Sequence, residues 1–149
     1  EKGYISWQEG KARTLQIVEE ADYGIPILGT VAAGGLVESY CDEHDTLDIT
    51  SIISKKGVFA LKVNGDSMIE AFIDDGDTVL MEPVNNVFNL RQGDIVSAMV
   101  PGLGTTLKYF FKKGNQISLE AANTSYEPIK VDSDRVEIQG KLLAVWRYK

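Results

Sequence analysis

The sequence predicts an all-β fold, and three observations lead there. Short runs rich in β-branched and aromatic residues follow one another from residue 25 to the end of the chain. Clusters of Gly, Pro, Asn and Asp separate them, as in "DDGD", "RQGD", "PGLG" and "KKGN". Helical signals are few. At 149 residues, with 44% hydrophobic and 25% charged residues, the chain has the length and composition of one soluble globular domain with a real core.

In chain order, "GYISW" and "ARTLQIV" within residues 1–18 read as two strands joined by the polar turn "QEGK". A lone hairpin is marginal in water, so this pair is expected to be the end of a domain lying upstream. Residues 19–24, "EEADYG", then form a linker. Residues 29–40, "GTVAAGGLVESY", are expected to be a loop, because Ala32, Ala33, Gly34 and Gly35 have no bulk with which to build a core. Strands are expected at "GVFALKV" (57–63), "DTVLMEPV" (77–84), "DIVSAMV" (94–100), "TTLKYFFKK" (105–113), "NQISLEAA" (115–122) and "VEIQGKLLAVWRY" (136–148). This spacing suits a sandwich or barrel with one short helix after Ser67, running through Met68 to Phe72 and capped by Asp66 or Ser67. No internal repeat or low-complexity tract interrupts it.

Several function classes are excluded or weakened. A single cysteine, Cys41, forms no internal disulfide, and His44 is the only histidine, so neither a His-rich metal site nor a Cys-His pair is expected from "CDEHD". No metal or cofactor is expected. "GLG" at Gly102–Gly104 lacks the Lys-Ser/Thr of a phosphate-binding loop. A net charge of −7 opposes coating of nucleic acid by the whole chain, although Lys2, Lys11 and Arg13 against Glu1 and Glu9 leave the first 18 residues at +1. No apolar run approaches the roughly 20 residues that span a bilayer, and no basic-apolar leader opens the chain. A cytoplasmic protein without membrane contact is therefore expected.

The chemistry rests on "VNGDSMIEAFIDDGD", residues 63–77. On its own this stretch suits a turn, since Gly, Asp and Ser favour turns and helix starts. A serine nucleophile needs a base, and with no usable histidine a lysine held neutral can serve. Lys108 shares a strand face with Thr106 and Phe110, while Leu107, Tyr109 and Phe111 take the other. Apolar residues on both faces suggest burial, which lowers a lysine pKa. Taken alone, a lysine snorkelling from an edge strand is the better account of it.

These segments together resemble a known family. "VAAGG", "VNGDSM...IDDGD", "TTLKYFFKKGNQISLEAANTSYEPIKVD" and "VEIQGKLLAVWRYK" are similar to the self-cleaving C-terminal domain of LexA-type repressors, from about Ile25 to the end. "EKGYISWQEGKARTLQI" resembles the last helix turn, wing and strands of their winged-helix domain, which sets the chain apart from phage repressors and UmuD-like proteins. The resemblance implies Ser67 as nucleophile, Lys108 as general base, Thr106 orienting the amine, and Ala33-Gly34 as the scissile bond preceded by Val31 and Ala32. Asp66 and Met68 flank the nucleophile in a supporting role, and the backbone amides near Asp66 and Ser67 are the candidate oxyanion donors. "PGLG" and Gly35 depart from familiar members without touching a catalytic group.

The implied function is an SOS-type repressor of the DNA-damage response. It would dimerise through an exposed strand edge in 136–148, bind operator DNA only as the full-length protein, and cleave itself when stimulated by RecA filaments on single-stranded DNA. Two other readings compete. One is a LexA-like regulator whose C-terminal domain only dimerises, with a silent protease. The other is a signal-peptidase-like enzyme acting on other proteins, which the absence of a membrane segment disfavours.

Overall fold

The computed structural model describes residues 4–6, 16–18, 24–28, 30, 31, 33, 34 and 45–149. They belong to two compact units, Glu1–Ile53 and Ser54–Lys149. Ala32, Gly35, Cys41, His44 and nearly all of the expected linker lie outside the described residues.

In the first unit, β1 (Tyr4–Ser6) pairs antiparallel with β2 (Gln16–Val18), Ile5 opposite Ile17, as expected of a hairpin. A second ribbon joins β3 (Ile25–Pro26) to β4 (Thr46–Leu47), extended by Ile27 N donating to Asp45 O at 2.8 Å. One helical turn, α1 (Thr50–Ile53), was not expected. The Asp48 carboxylate accepts from Ser51 N at 3.1 Å, satisfying an amide that a short helix leaves unpaired.

The second unit is one antiparallel sheet of seven strands in the order β10-β9-β8-β7-β11-β6-β5. These are β5 (Phe59–Lys62), β6 (Thr78–Pro83), β7 (Asp94–Val100), β8 (Gly104–Lys113), β9 (Gln116–Glu120), β10 (Ile129–Asp132) and β11 (Glu137–Trp146). Every expected strand of this unit is present, and β10 is additional. The all-β expectation holds.

Both faces of β7 and β8 are covered. Val96, Ala98, Val100 and Phe110 join Ile117, Leu119 and Ile138 in one buried cluster. Ile95, Leu107 and Tyr109 pack instead against a second cluster of Met68, Ile73, Val79, Met81 and Ala122. Period-two alternation therefore sends apolar side chains into two cores from the same strands.

Two expectations need correction. The helix after Ser67 is only a 3-10 turn at Ile69–Ala71, with Met68 rather than Asp66 or Ser67 at its N-cap and no side-chain cap bond. Phe72 ends it in the left-handed region at φ 59°. Second, β11 is an interior strand, paired with β7 through Glu137–Lys141 and with β6 through Gly140–Trp146. The free edge expected of 136–148 is confined to the β7 side of β11 beyond Lys141. A Cβ on Gly140 would stand 2.7 Å from the Phe59 ring and 3.0 Å from Met81 Cβ, so only glycine fits where β11 crosses between its neighbours.

Candidate active site

Ser67 sits in the turn that leaves β5, and its neighbours on both sides are tied down. Val63 N donates to Asp77 O at 2.8 Å and Gly76 N donates to Val63 O at 2.9 Å, closing the neck of a loop over residues 63–77. Gly65, at φ 101°, turns the chain and donates its N–H to the Asp75 carboxylate at 2.7 Å. Directly after the serine, Met68 is buried at 2% exposure and anchors the turn in the second cluster.

Lys108 reaches Ser67 from the middle of β8. Its Nζ lies 2.7 Å from Ser67 Oγ, 2.9 Å from Thr106 Oγ1 and 2.9 Å from the Leu107 carbonyl. Thr106 is two residues earlier on the same face, as the strand period expects. The lysine is 5% exposed, and burial lowers its pKa from the ordinary lysine value. No carboxylate forms an ion pair with it among the described residues.

The three partners define two protonation states. As an ammonium, Nζ donates to all three oxygens. As a neutral amine it has two N–H groups and one lone pair. The Leu107 carbonyl can only accept and the Thr106 hydroxyl is free to accept, so the lone pair is left facing the Ser67 hydroxyl. That is the geometry of a base beside its nucleophile. Among the described residues, the main-chain amides of Asp66, Ser67 and Met68 donate no hydrogen bond, so the expected oxyanion donors at Asp66 and Ser67 are free.

Two supports of this loop were missed in the sequence. Arg147 binds Asp77 through Nε to Oδ1 and Nη2 to Oδ2, both at 2.6 Å, and Nη2 also donates to Phe72 O at 3.3 Å. The guanidinium and the Asp74 amide hold the Asp77 carboxyl down to about 2. The other support is Ala122–Tyr126, where Asn123 Nδ2 donates to Asp66 O at 3.0 Å and the Tyr126 hydroxyl to Asp66 Oδ1 at 2.5 Å. The Asp66 carboxylate raises the Tyr126 phenol above its usual value. Polar residues in "ANTSYEP" signalled a turn, but nothing local says what the turn touches.

Of the expected site residues, the structure brings Ser67, Lys108 and Thr106 together, with Asp66 and Met68 adjacent. Val31, Ala33 and Gly34 belong to the first unit and are exposed, Val31 at 92%. No helix among the described residues is long and apolar enough to cross a membrane.

A family model described as Peptidase S24-like matches residues 26–143. Similar proteins include the LexA repressors of Thermotoga neapolitana, 37% identical over 148 residues, and Clostridium novyi, 39% identical over 153. Each match covers 98% of this chain and 73% of the relative. The chain belongs to the S24-like peptidases of the LexA type. A transcription regulator LexA from Synechocystis is a further LexA-type relative, 33% identical over 98% of this chain and 72% of its own length. For an S24-like peptidase, the Ser67–Lys108 pair joins a hydroxyl in a turn to a buried amine, which a second hydroxyl, that of Thr106, also holds.

Proposed function

We propose that this chain is a repressor that inactivates itself by cutting its Ala33-Gly34 peptide bond, with Ser67 as nucleophile and Lys108 as base. The 2.7 Å approach of a buried lysine amine to a serine hydroxyl carries the proposal. Neutral Lys108 takes the Ser67 proton as Oγ attacks the Ala33 carbonyl carbon, and the amides of Asp66 and Ser67 stabilise the resulting oxyanion. The ammonium then passes its proton to the Gly34 nitrogen, the C–N bond breaks, and Ala33 remains as an ester on Ser67. Water, activated by the amine now neutral again, hydrolyses that ester and frees the serine. Thr106 Oγ1 and the Leu107 carbonyl hold the nitrogen in place throughout, and with its lone pair toward the hydroxyl whenever it is neutral.

The LexA relatives, together with the resemblance of the sequence, support a regulatory setting for this chemistry. Residues 1–18 are the remnant of a winged-helix domain, 19–24 a linker, and 25–149 the peptidase and dimerisation domain with its cleavage loop at 29–40. The full-length protein binds operator DNA as a homodimer, RecA filaments on single-stranded DNA stimulate cleavage, and the cut separates the DNA-binding part from the dimeriser. Mildly alkaline incubation followed by mass spectrometry tests the chemistry. Fragments 1–33 and 34–149 are expected, and an intact chain or a cut at another bond would refute the assignment.

A further inference from the structure

The loop that follows β9 makes no hydrogen bond to Ser67 Oγ or Lys108 Nζ, yet it holds the peptide bond that leads into the nucleophile. Asp66 O accepts from Asn123 Nδ2 at 3.0 Å and from Ile69 N at 3.1 Å, while Asp66 Oδ1 accepts from the Tyr126 hydroxyl. The loop is itself braced. Asn123 Oδ1 accepts from Ser125 N at 2.9 Å, and Asn123 O from Tyr126 N at 3.1 Å. Ala122 O accepts from Glu70 N at 2.8 Å, and Thr124 N donates to Glu70 Oε1 at 3.3 Å, so the loop grips the nucleophile's turn on both sides of Ser67.

A peptide group is planar, and in its trans form the C=O of one residue and the N–H of the next point in opposite directions. The unit that carries Asp66 O also carries Ser67 N–H. Fixing the direction of the carbonyl therefore fixes the direction of the amide. We infer that Asn123 is a positioning residue that aims the Ser67 N–H at the oxyanion site by holding the opposite end of the same peptide plane, with Tyr126 securing the Asp66 side chain against rotation. This rests on the self-cleavage reading above, and it adds a residue 56 positions from the nucleophile that no local motif marks. A tilt of that plane would swing the amide away from the developing charge while leaving the contact between Lys108 and Ser67 in place.

Two side-chain changes separate this role from a purely structural one. Asn123→Asp keeps the shape and the oxygen that accepts from Ser125 N but replaces the donor to Asp66 O; Tyr126→Phe removes one hydroxyl from a half-exposed ring. First-order self-cleavage of the 149-residue chain is followed from about pH 6 to 11, with thermal melting alongside and Ser67→Ala as control. The high-pH plateau rate is expected to fall about ten- to a hundredfold in Asn123→Asp, and severalfold in Tyr126→Phe. The pH at which the rate levels off, which reports Lys108, stays at the parental value.

Parental plateau rates in both variants overturn the assignment, as does a plateau loss that comes with a shifted levelling-off, because the loop would then act through the lysine. If Asn123→Asp does not fold, Tyr126→Phe decides alone by the same split. A parental chain that stays intact, or a Ser67→Ala chain that still cuts, overturns the self-cleavage reading itself and this inference with it.

Discussion

Lys108 carries a conflict between stability and chemistry. At an unperturbed pKa of about 10.4 only about one lysine in 2,500 is neutral at pH 7, and burial raises that fraction at the expense of the charged form. The cleavage rate is therefore expected to rise about tenfold per pH unit while the amine is mostly protonated, then to level off below the ordinary lysine value. Lys108→Ala should abolish the reaction and keep the fold. A flat profile would mean a different activating group. The same burial has a thermodynamic sign. The folded-state pKa is lowered, so above it the unfolded chain binds more protons than the folded one. Between that value and about 10.4, parental stability should rise with pH relative to Lys108→Ala, as urea midpoints at several pH values would reveal. Asp77 acts at the other end of the scale. Its carboxyl is lowered from 3.8 to about 2 by Arg147, so its contribution is complete above the unfolded value and lost as pH falls through about 2. Arg147→Ala should remove that acid resistance and lower the melting temperature near neutrality, as scanning calorimetry at low and neutral pH would show.

Among the elements, β11 is the one that side-chain volume constrains most visibly. Gly140→Ala would set a methyl group 2.7 Å from the Phe59 ring and against Met81, where the core leaves no room. A loss of about 1–3 kcal/mol is expected from denaturant titration, the usual cost of overpacking. β7 and β8 were legible in the sequence because unbroken β-branched and aromatic runs mark strands buried on both faces. β10 was not, because four residues, "IKVD", with two charges facing outward carry too little apolar signal. The 3-10 turn was over-read as a helix, since Ile69 to Phe72 is too short for periodicity to separate the two. In the site, Ser67 and Lys108 were legible only through the family resemblance. The clamps from Asn123, Tyr126 and Arg147 act across 57, 60 and 70 residues, and no local pattern encodes a contact of that range.

Across the whole molecule, self-cleavage requires a small, exposed bond to reach a buried pair. Gly34→Val should slow the cut by about a hundredfold or more, because a branched side chain beside the scissile carbonyl crowds the approach of Ser67. Parental rates in that variant, read by gel densitometry, would contradict the assigned bond. Dimerisation is expected through the part of β11 that β7 leaves uncovered, where main-chain groups can pair with a two-fold mate. Sedimentation at high micromolar concentration should show the dimer, and a monomer there would refute this.

The position of β11 also sets a timetable for synthesis. Of the seven strands of the sheet, the last made is the one that joins the β5–β6 hairpin to the β7–β10 meander, and Asp77 leaves the ribosome 70 residues ahead of the arginine that holds it. At about 5–20 residues per second that is a wait of several seconds, during which Asp77 lacks the guanidinium that holds it. A nascent chain stalled at Asp134 should therefore be open to added protease over residues 63–77, and the completed chain closed. On the self-cleavage reading, the loop that bears the nucleophile is fully braced only once β11 and Arg147 have been made.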